Sequence, residues 1–433
     1  MQEVLDLLEL NLWKLGFLFI IFFGFYLTIL SGFFQLRKFP AILRLFYSYF
    51  HKSDDSKRGI HPLKAFFASI GGAIGIGNVV AVCTAVQIAG PGAVFWIWVA
   101  GFLGMMIKYS EIYLALIHRV ENSDGSYDGG PMYFLKKAYS GSFFSVLVCL
   151  LLCVYGTEIF MFSVMTHSLS VNWGLNHLFV MFTLLFLILL ACRGGLERVG
   201  SLCSAIVPVF VGLFSLMSLY LIFQNLSELP SVVMSIFQGA FQGHAPIGLF
   251  AGSTSFQCMA QGIARGCYSG DVGVGYASII HSESKLKEPV KQSSLAIFGI
   301  FLDTFIVCSF SLLLVLITGV WKDGVSPDMM VQLALSKSFP HMQYFMPFFL
   351  FLLGYSTMIS FFAVGLKCAQ YLSPRFGKSI YYVYAVSALI CFSYVEQSLA
   401  LTVMSICGVL LLLINLTAIF ILRKELSFKL DSM

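Results

Sequence analysis

Apolar residues in this chain gather in long runs separated by short polar breaks, with no strand-like alternation. A helix that crosses a bilayer needs about 20 consecutive apolar residues. Eleven runs fit that template: 11–35, 64–88, 92–117, 142–168, 175–191, 202–223, 232–264, 293–320, 345–372, 379–395 and 398–422. The pattern predicts an all-α membrane protein with eleven transmembrane helices. Two runs carry interruptions. The segment IGGAIGIGNVVAVCTAVQIAGPGAVFWIW is apolar, yet its first third holds Gly71, Gly72, Gly75 and Gly77 and ends on Asn78. Each glycine costs a helix roughly 1 kcal/mol against alanine. Main chain freed at membrane depth is tolerated only where it lines a cavity or is buried in protein. Discontinuous helices of this kind build the binding sites of many secondary transporters. The seventh run is too long for one straight crossing and contains Gly239, Gly243, Pro246, Gly248 and Gly252. The stretch after it, Gly266 to Gly275, reads as a glycine-rich cytoplasmic turn carrying Asp271.

Runs two and seven are five apart, so they cross in opposite directions. That predicts two inverted repeats of five helices, 61–223 and 232–422, with an extra N-terminal helix at 11–35, in one integral unit of 433 residues. Basic residues set the orientation. With the N-terminus outside, 22 of the 26 Lys and Arg, Arg265 among them, fall on the inner side; Lys14, Lys322 and Lys337 lie outside and Lys108 lies inside a run. An N-out, C-in topology follows. Composition agrees: 11% of residues are charged, against about 25% in soluble proteins. The first run is too long for a signal peptide and lacks a small-residue cleavage site, so it reads as a retained span. Eleven cysteines, nearly all within apolar runs and without C-x-x-C, and eight scattered histidines point to reduced, buried thiols and to no structural metal or disulfide framework.

Chemistry-bearing residues are few. Asn78, with Gly71, Gly72, Gly75 and Gly77, forms a first half-site. Unwound backbone there offers carbonyls to a cation and N–H groups to a carboxylate; close packing of small residues is the other reading. Ser253, Thr254, Ser255, Gln257 and Gln261 are polar groups in the seventh run, either touching a solute or bonding to neighbouring helices. In the ninth run Ser356 and Thr357 could complete a cation's oxygen shell or bond back to their own helix, with Ser360 and Phe361 one turn on. Three acids lie in apolar runs. Glu111 is three residues from Lys108, which suggests an ion pair. Glu158 and Asp303 have no local base and read as proton or coupling residues, or as charges paired across helices. A nucleophile elbow, paired histidines and a P-loop are all missing, so an enzyme is not expected. A channel or receptor would need a continuous polar pore or a soluble sensor.

The segments GIGNVVAVCTAVQIAGPGAVFWIWVAGFLGMMIKYSE and DGSYDGGPMYFLKKA, with ARGCYSGDVGVGYAS and EPVKQSSLAIFGIFLDTFIVC, closely resemble the alanine-or-glycine:cation symporter family. The resemblance runs from Pro62 through the last span. It implies eleven spans on the leucine-transporter fold, with Na⁺-coupled import of alanine, glycine or a related small neutral amino acid. Gly77 and Asn78 match the family's G-T-G-N, with Ile76 at the Thr. Ser356 and Thr357 match a Thr-Thr pair, and Phe361 stands at a Trp. Ser269 to Tyr276 departs from S-N-E-A-G-M-G-S, losing the Asn and shortening Glu to Asp271. The family's Gly-Asn and Gln of span four are not evident around Glu158 to Ser163. The residue pattern and the resemblance together lead us to expect substrate contacts at Ile76, Gly77, Asn78, Ser253, Ser255, Gln257, Thr357 and Phe361. Ion contacts are expected at Gly71, Ala73, Ile74, Ser356 and Thr357. Coupling to H⁺ through Glu158 or Asp303 is the alternative. The expected setting is a bacterial-type inner (plasma) membrane. The expected partners are the amino acid, Na⁺ and lipid, with no organic cofactor and no nucleic acid.

Overall fold

Lipid offers no partner for main-chain N–H and C=O groups, so apolar runs become helices that satisfy those groups internally. The computed structural model describes residues 2–51, 59–123, 125–242 and 255–430. Among the described residues seven spans are long and apolar enough to cross a membrane: Gln2–Leu30, Ala93–Ile117, Phe143–Trp173, Gly195–Gln224, Pro289–Thr318, Met342–Leu372 and Gln397–Ile421. A pair bent by 51°, Pro62–Ala73 with Ile76–Ala89, makes an eighth. Runs five and ten form shorter apolar helices, His177–Cys192 and Gly377–Phe392. The eleven crossings expected from the pattern are therefore not all helices of full bilayer length. Among the described residues the one strand pair is a short antiparallel hairpin, Val120–Glu121 with Tyr127–Asp128.

The seventh run departs most from expectation. It is two helices, Leu229–Gln242 and Ser255–Gly270, and Gly239 sits inside the first of them. Gly243, Pro246, Gly248, Gly252, Ser253 and Thr254 lie outside the described residues. Among the described residues an interruption follows, between Ser255–Gly270 and Tyr276–Ser282. Asp271, Gly273 and Gly275 have φ of 48°, 73° and 97°, and residues 270–275 are all buried. The segment expected to be a cytoplasmic turn is a break inside the protein. Side chains from other helices meet its main chain: Lys108 Nζ donates to Gly270 O at 2.9 Å, Asn415 Nδ2 to Gly273 O at 2.9 Å, and Gly275 N–H donates to Glu111 Oε2 at 3.1 Å. Lys108 and Glu111, expected to bond each other, each bind this break instead.

The helix Gln397–Ile421 relates the two faces of the molecule. It begins beside Gln2, whose amide donates to Ser398 Oγ, and leads to Glu425, which bonds His118 and Lys137. On the first face a cavity of about 550 Å³ is lined by residues that include Asp6, Glu9, Gln257, Arg265 and Asp328, with Val80, Phe160 and Ala264. Arg265 is therefore not in a loop with the inner basic residues. It lies in the helix Ser255–Gly270 and pairs with Glu9 at 3.2 Å. The opposite face holds a second cavity, of about 490 Å³, whose lining includes Asn122, Tyr133 and Tyr371, and it is bridged by ion pairs and hydrogen bonds. Lys367 bonds Asp128 of the hairpin at 2.9 Å and Glu283 at 2.7 Å. Arg119 donates to the carbonyls of Ser282, Ser284 and Leu286 at 2.6 to 3.1 Å.

Candidate functional site

The second span stops being α-helical at Ile74. Gly75 is extended (φ −130°, ψ −160°), and a 3-10 turn, Ile76–Asn78, follows before the helix resumes at Ala81. The glycines here are required by close approach. A Cβ on Gly71 would lie 2.6 Å from Cys203 Sγ, one on Gly72 would overlap the Tyr276 hydroxyl, and one on Gly75 would overlap Thr357 Oγ1. Asn78 holds the break together. Its Oδ1 accepts from Gly75 N–H at 2.9 Å, and its Nδ2 donates to Asp303 Oδ1 at 2.6 Å.

Opposite the break stands the helix Met342–Leu372. Thr357 Oγ1 is 3.1 Å from Gly71 O and 3.1 Å from Leu353 O. Ser356 Oγ turns back to Leu353 O at 2.9 Å. Of the five residues expected to surround an ion, the structure brings Gly71 and the Thr357 hydroxyl together, with Ala73 and Ile74 next along the same broken span and the Ser356 hydroxyl directed onto its own helix. Phe361 is 1% exposed. Its ring stacks on Tyr276 at 3.8 Å and meets Tyr155 edge-on at 5.5 Å.

Ile76, Gly77 and Asn78 are buried at the centre of this arrangement. Ser255 and Gln257 are not near it. They lie at the other end of the helix that reaches the site at Ser269, about 20 Å away at 1.5 Å per residue, and Gln257 lines the open cavity.

Both acids without a local base come to the site. Asp303 is 1% exposed and lies where the eighth span widens into a π-helix, Phe301–Cys308, a local geometry frequent at functional sites. It accepts from Asn78 and from Thr304 Oγ1 at 2.8 Å. Glu158 marks a break in the fourth span, between Phe143–Tyr155 and Ile159–Trp173, with φ 45°. Nothing in the apolar pattern announced that break. Glu158 Oε2 accepts from the Tyr268 hydroxyl at 3.3 Å, and Asp271 Oδ1 accepts from the Tyr155 hydroxyl at 3.2 Å. The two bonds are reciprocal. Each broken span carries Tyr-x-x-acid, YGTE at 155–158 and YSGD at 268–271, and each tyrosine serves the other span's acid. Asp271, Tyr155, Tyr268 and Tyr276 were missed as site residues. The repeated tyrosine-to-acid spacing was the signal that could have found them.

A buried junction of broken helices between a cavity on one face and a cavity bridged by ion pairs on the other suits a solute carrier. Among the described residues no group of three or more His, Cys, Asp or Glu forms a metal cluster. Comparison with known proteins agrees with that reading. An uncharacterised transporter of Bacillus subtilis is 32% identical over 381 residues, covering 85% of this chain and 79% of its own. A sodium/alanine symporter of Methanococcus maripaludis is 30% identical over 369 residues, covering 83% and 80%. The crystal structure of a Na⁺-coupled sialic acid symporter in a substrate-bound outward-open state superposes with a TM-score of 0.59 at 11% identity, covering 94% of this chain and 86% of that one. That likeness establishes the leucine-transporter fold alone. The profile of one family of transporters matches residues 1–432, and the chain belongs to that family, the sodium:alanine symporters.

Proposed function

We propose that this protein imports a small neutral amino acid, alanine or glycine, together with Na⁺ by alternating access. The observation that carries the reading is the meeting of the second-span break with Thr357, whose hydroxyl lies 3.1 Å from Gly71 O. Carbonyls of Gly71, Ala73 and Ile74 with the Thr357 hydroxyl supply the hard oxygen donors that an alkali cation needs. The Ile76 and Gly77 N–H groups open a 3-10 turn, where first-turn donors have no partner within the helix, and they receive the substrate carboxylate. Phe361 and Tyr276 wall the side-chain end and favour a small substrate.

In this reading the helices act as two inverted repeats, 61–223 and 232–422, with the first helix added. The break at 74–75 corresponds to the break at 271–275. The N-terminal face, with its open cavity, is extracellular, and the face sealed by Lys367 is cytoplasmic. Gln257 lines the entry path. Binding of both ligands closes the upper cavity and loosens the lower seal, which couples their affinities.

A second reading, H⁺ coupling, rests on Glu158 and Asp303. Both are 1% exposed, and neither has a basic partner at ion-pair distance among the described residues. Uptake of radiolabelled alanine and glycine into proteoliposomes, with Na⁺ and H⁺ gradients imposed separately, tests both. Stimulation by Na⁺ alone is expected. Stimulation by H⁺ alone would replace the first reading with the second.

A further inference from the structure

A buried carboxylate without a cation is strongly unfavourable, and Glu158 is in that position. It is 1% exposed, and its hydrogen bond is to a neutral hydroxyl, that of Tyr268. Basic residues of the adjoining segments are engaged elsewhere. Arg265, one turn before Tyr268, is bonded to Glu9 at 3.2 Å, and Lys108 donates to Gly270 O at 2.9 Å.

The position of Glu158 indicates which cation belongs there. A Cβ on Gly77 would lie 3.7 Å from Tyr268 Cε1 and 3.7 Å from Met161 Cε. One tyrosine ring therefore separates the 3-10 turn from the Glu158 carboxylate. We propose that Glu158 is the counter-ion of the substrate's α-ammonium, with Tyr268 as the positioning residue that steadies the carboxylate. The inference rests on the amino-acid reading above and adds to it the charged group that recognises the second end of the zwitterion. The Tyr155–Asp271 bond ties the fourth span to the seventh beside Glu158.

The test compares alanine with L-lactate, which carries a hydroxyl in place of the ammonium, by calorimetric titration of the purified full-length protein in Na⁺. Wild type should prefer alanine by about 100-fold or more, the scale of a charge-assisted bond. Glu158→Gln should weaken alanine about 100-fold and leave lactate unchanged, so that the preference collapses. Glu158→Asp should restore part of it. Na⁺-induced thermal stabilisation should persist in Glu158→Gln. A preference retained in Glu158→Gln overturns the proposal. So does loss of the Na⁺ response with the preference intact, which would make Glu158 an ion ligand. Should Glu158→Gln not fold, Tyr268→Phe removes the supporting hydroxyl alone; a several-fold loss of preference is expected, and no loss overturns the proposal. If wild type binds neither alanine nor glycine, the proposed substrate fails. The pair test then proceeds with whichever zwitterionic amino acid does bind and its α-hydroxy analogue.

Discussion

Replacing Thr357 by Val keeps the side-chain shape and removes one hydroxyl, and so separates two roles for the residue. The hydroxyl lies 3.1 Å from Gly71 O and 3.1 Å from Leu353 O. It has one proton to donate, so it satisfies one of these carbonyls at a time. Used only as glue between helices, it contributes about 1 kcal/mol. Its loss would then lower the thermal midpoint by about one degree and leave ion dependence alone. As a cation ligand it contributes a hydrogen-bond-scale interaction with a charge, about 1.5–3 kcal/mol. That corresponds to roughly a 10- to 100-fold rise in the Na⁺ concentration for half-maximal effect. Two assays report it: Na⁺-dependence of substrate uptake in proteoliposomes, and stabilisation by Na⁺ alone, which follows the logarithm of the ratio of ion concentration to Kd. Thr357→Ser, which retains the hydroxyl, should stay within a few-fold of wild type in both. A Thr357→Val protein that melts lower yet needs no more Na⁺ would refute the ion role and leave Thr357 as packing between spans two and nine.

Three further outcomes follow from particular contacts. Gly72→Ala places a Cβ on the Tyr276 hydroxyl, which is held by Ala68 O at 3.0 Å and by the Phe361 stack; uptake should fall at least tenfold, and adding Tyr276→Phe should recover part of it. Lys367→Met removes both bonds of the lower seal, so hydrogen exchange should accelerate in the 120–130 hairpin and in Tyr276–Ser282, and unchanged exchange would show that the seal is held by other contacts. For Glu425, burial raises the carboxyl pKa, but hydrogen bonds from Lys137 and His118 outweigh it and hold the group below its usual value. A carboxylate depressed in the folded state stabilises above its unfolded pKa and loses that effect as pH falls through the folded one. Acidification below about pH 4.5 should therefore lower the thermal midpoint of wild type more than that of Glu425→Gln.

The length of the apolar runs decided the class of this protein, because bilayer thickness and the cost of bare main chain leave a chain of this composition few alternatives. The glycine cluster from Gly71 to Gly77 and the terminal Asn78 marked the second-span break from sequence. Glycine in a membrane helix carries a penalty that calls for a local reason, and here the reason is contact with Cys203, Tyr276 and Thr357. Thr357 stood out as a hydroxyl in an apolar run, and resemblance to related chains marked it again together with Phe361. The break at Asp271 to Gly275 was read as a cytoplasmic turn. It has the composition of a surface turn, and bonds from distant helices, those of Lys108, Glu111, Tyr155 and Asn415, hold it as buried structure. The π-helix around Asp303 and the left-handed Glu158 left no mark in the apolar period, since both change the winding of a helix without changing its residue types. Sequence alone thus determined that this chain lives in a membrane and opens one helix there, because solvation acts on each residue where it stands. Only the tertiary structure decided which acids, tyrosines and carbonyls share that opening. Their partners lie more than a hundred residues away, and packing alone brings them within hydrogen-bond distance.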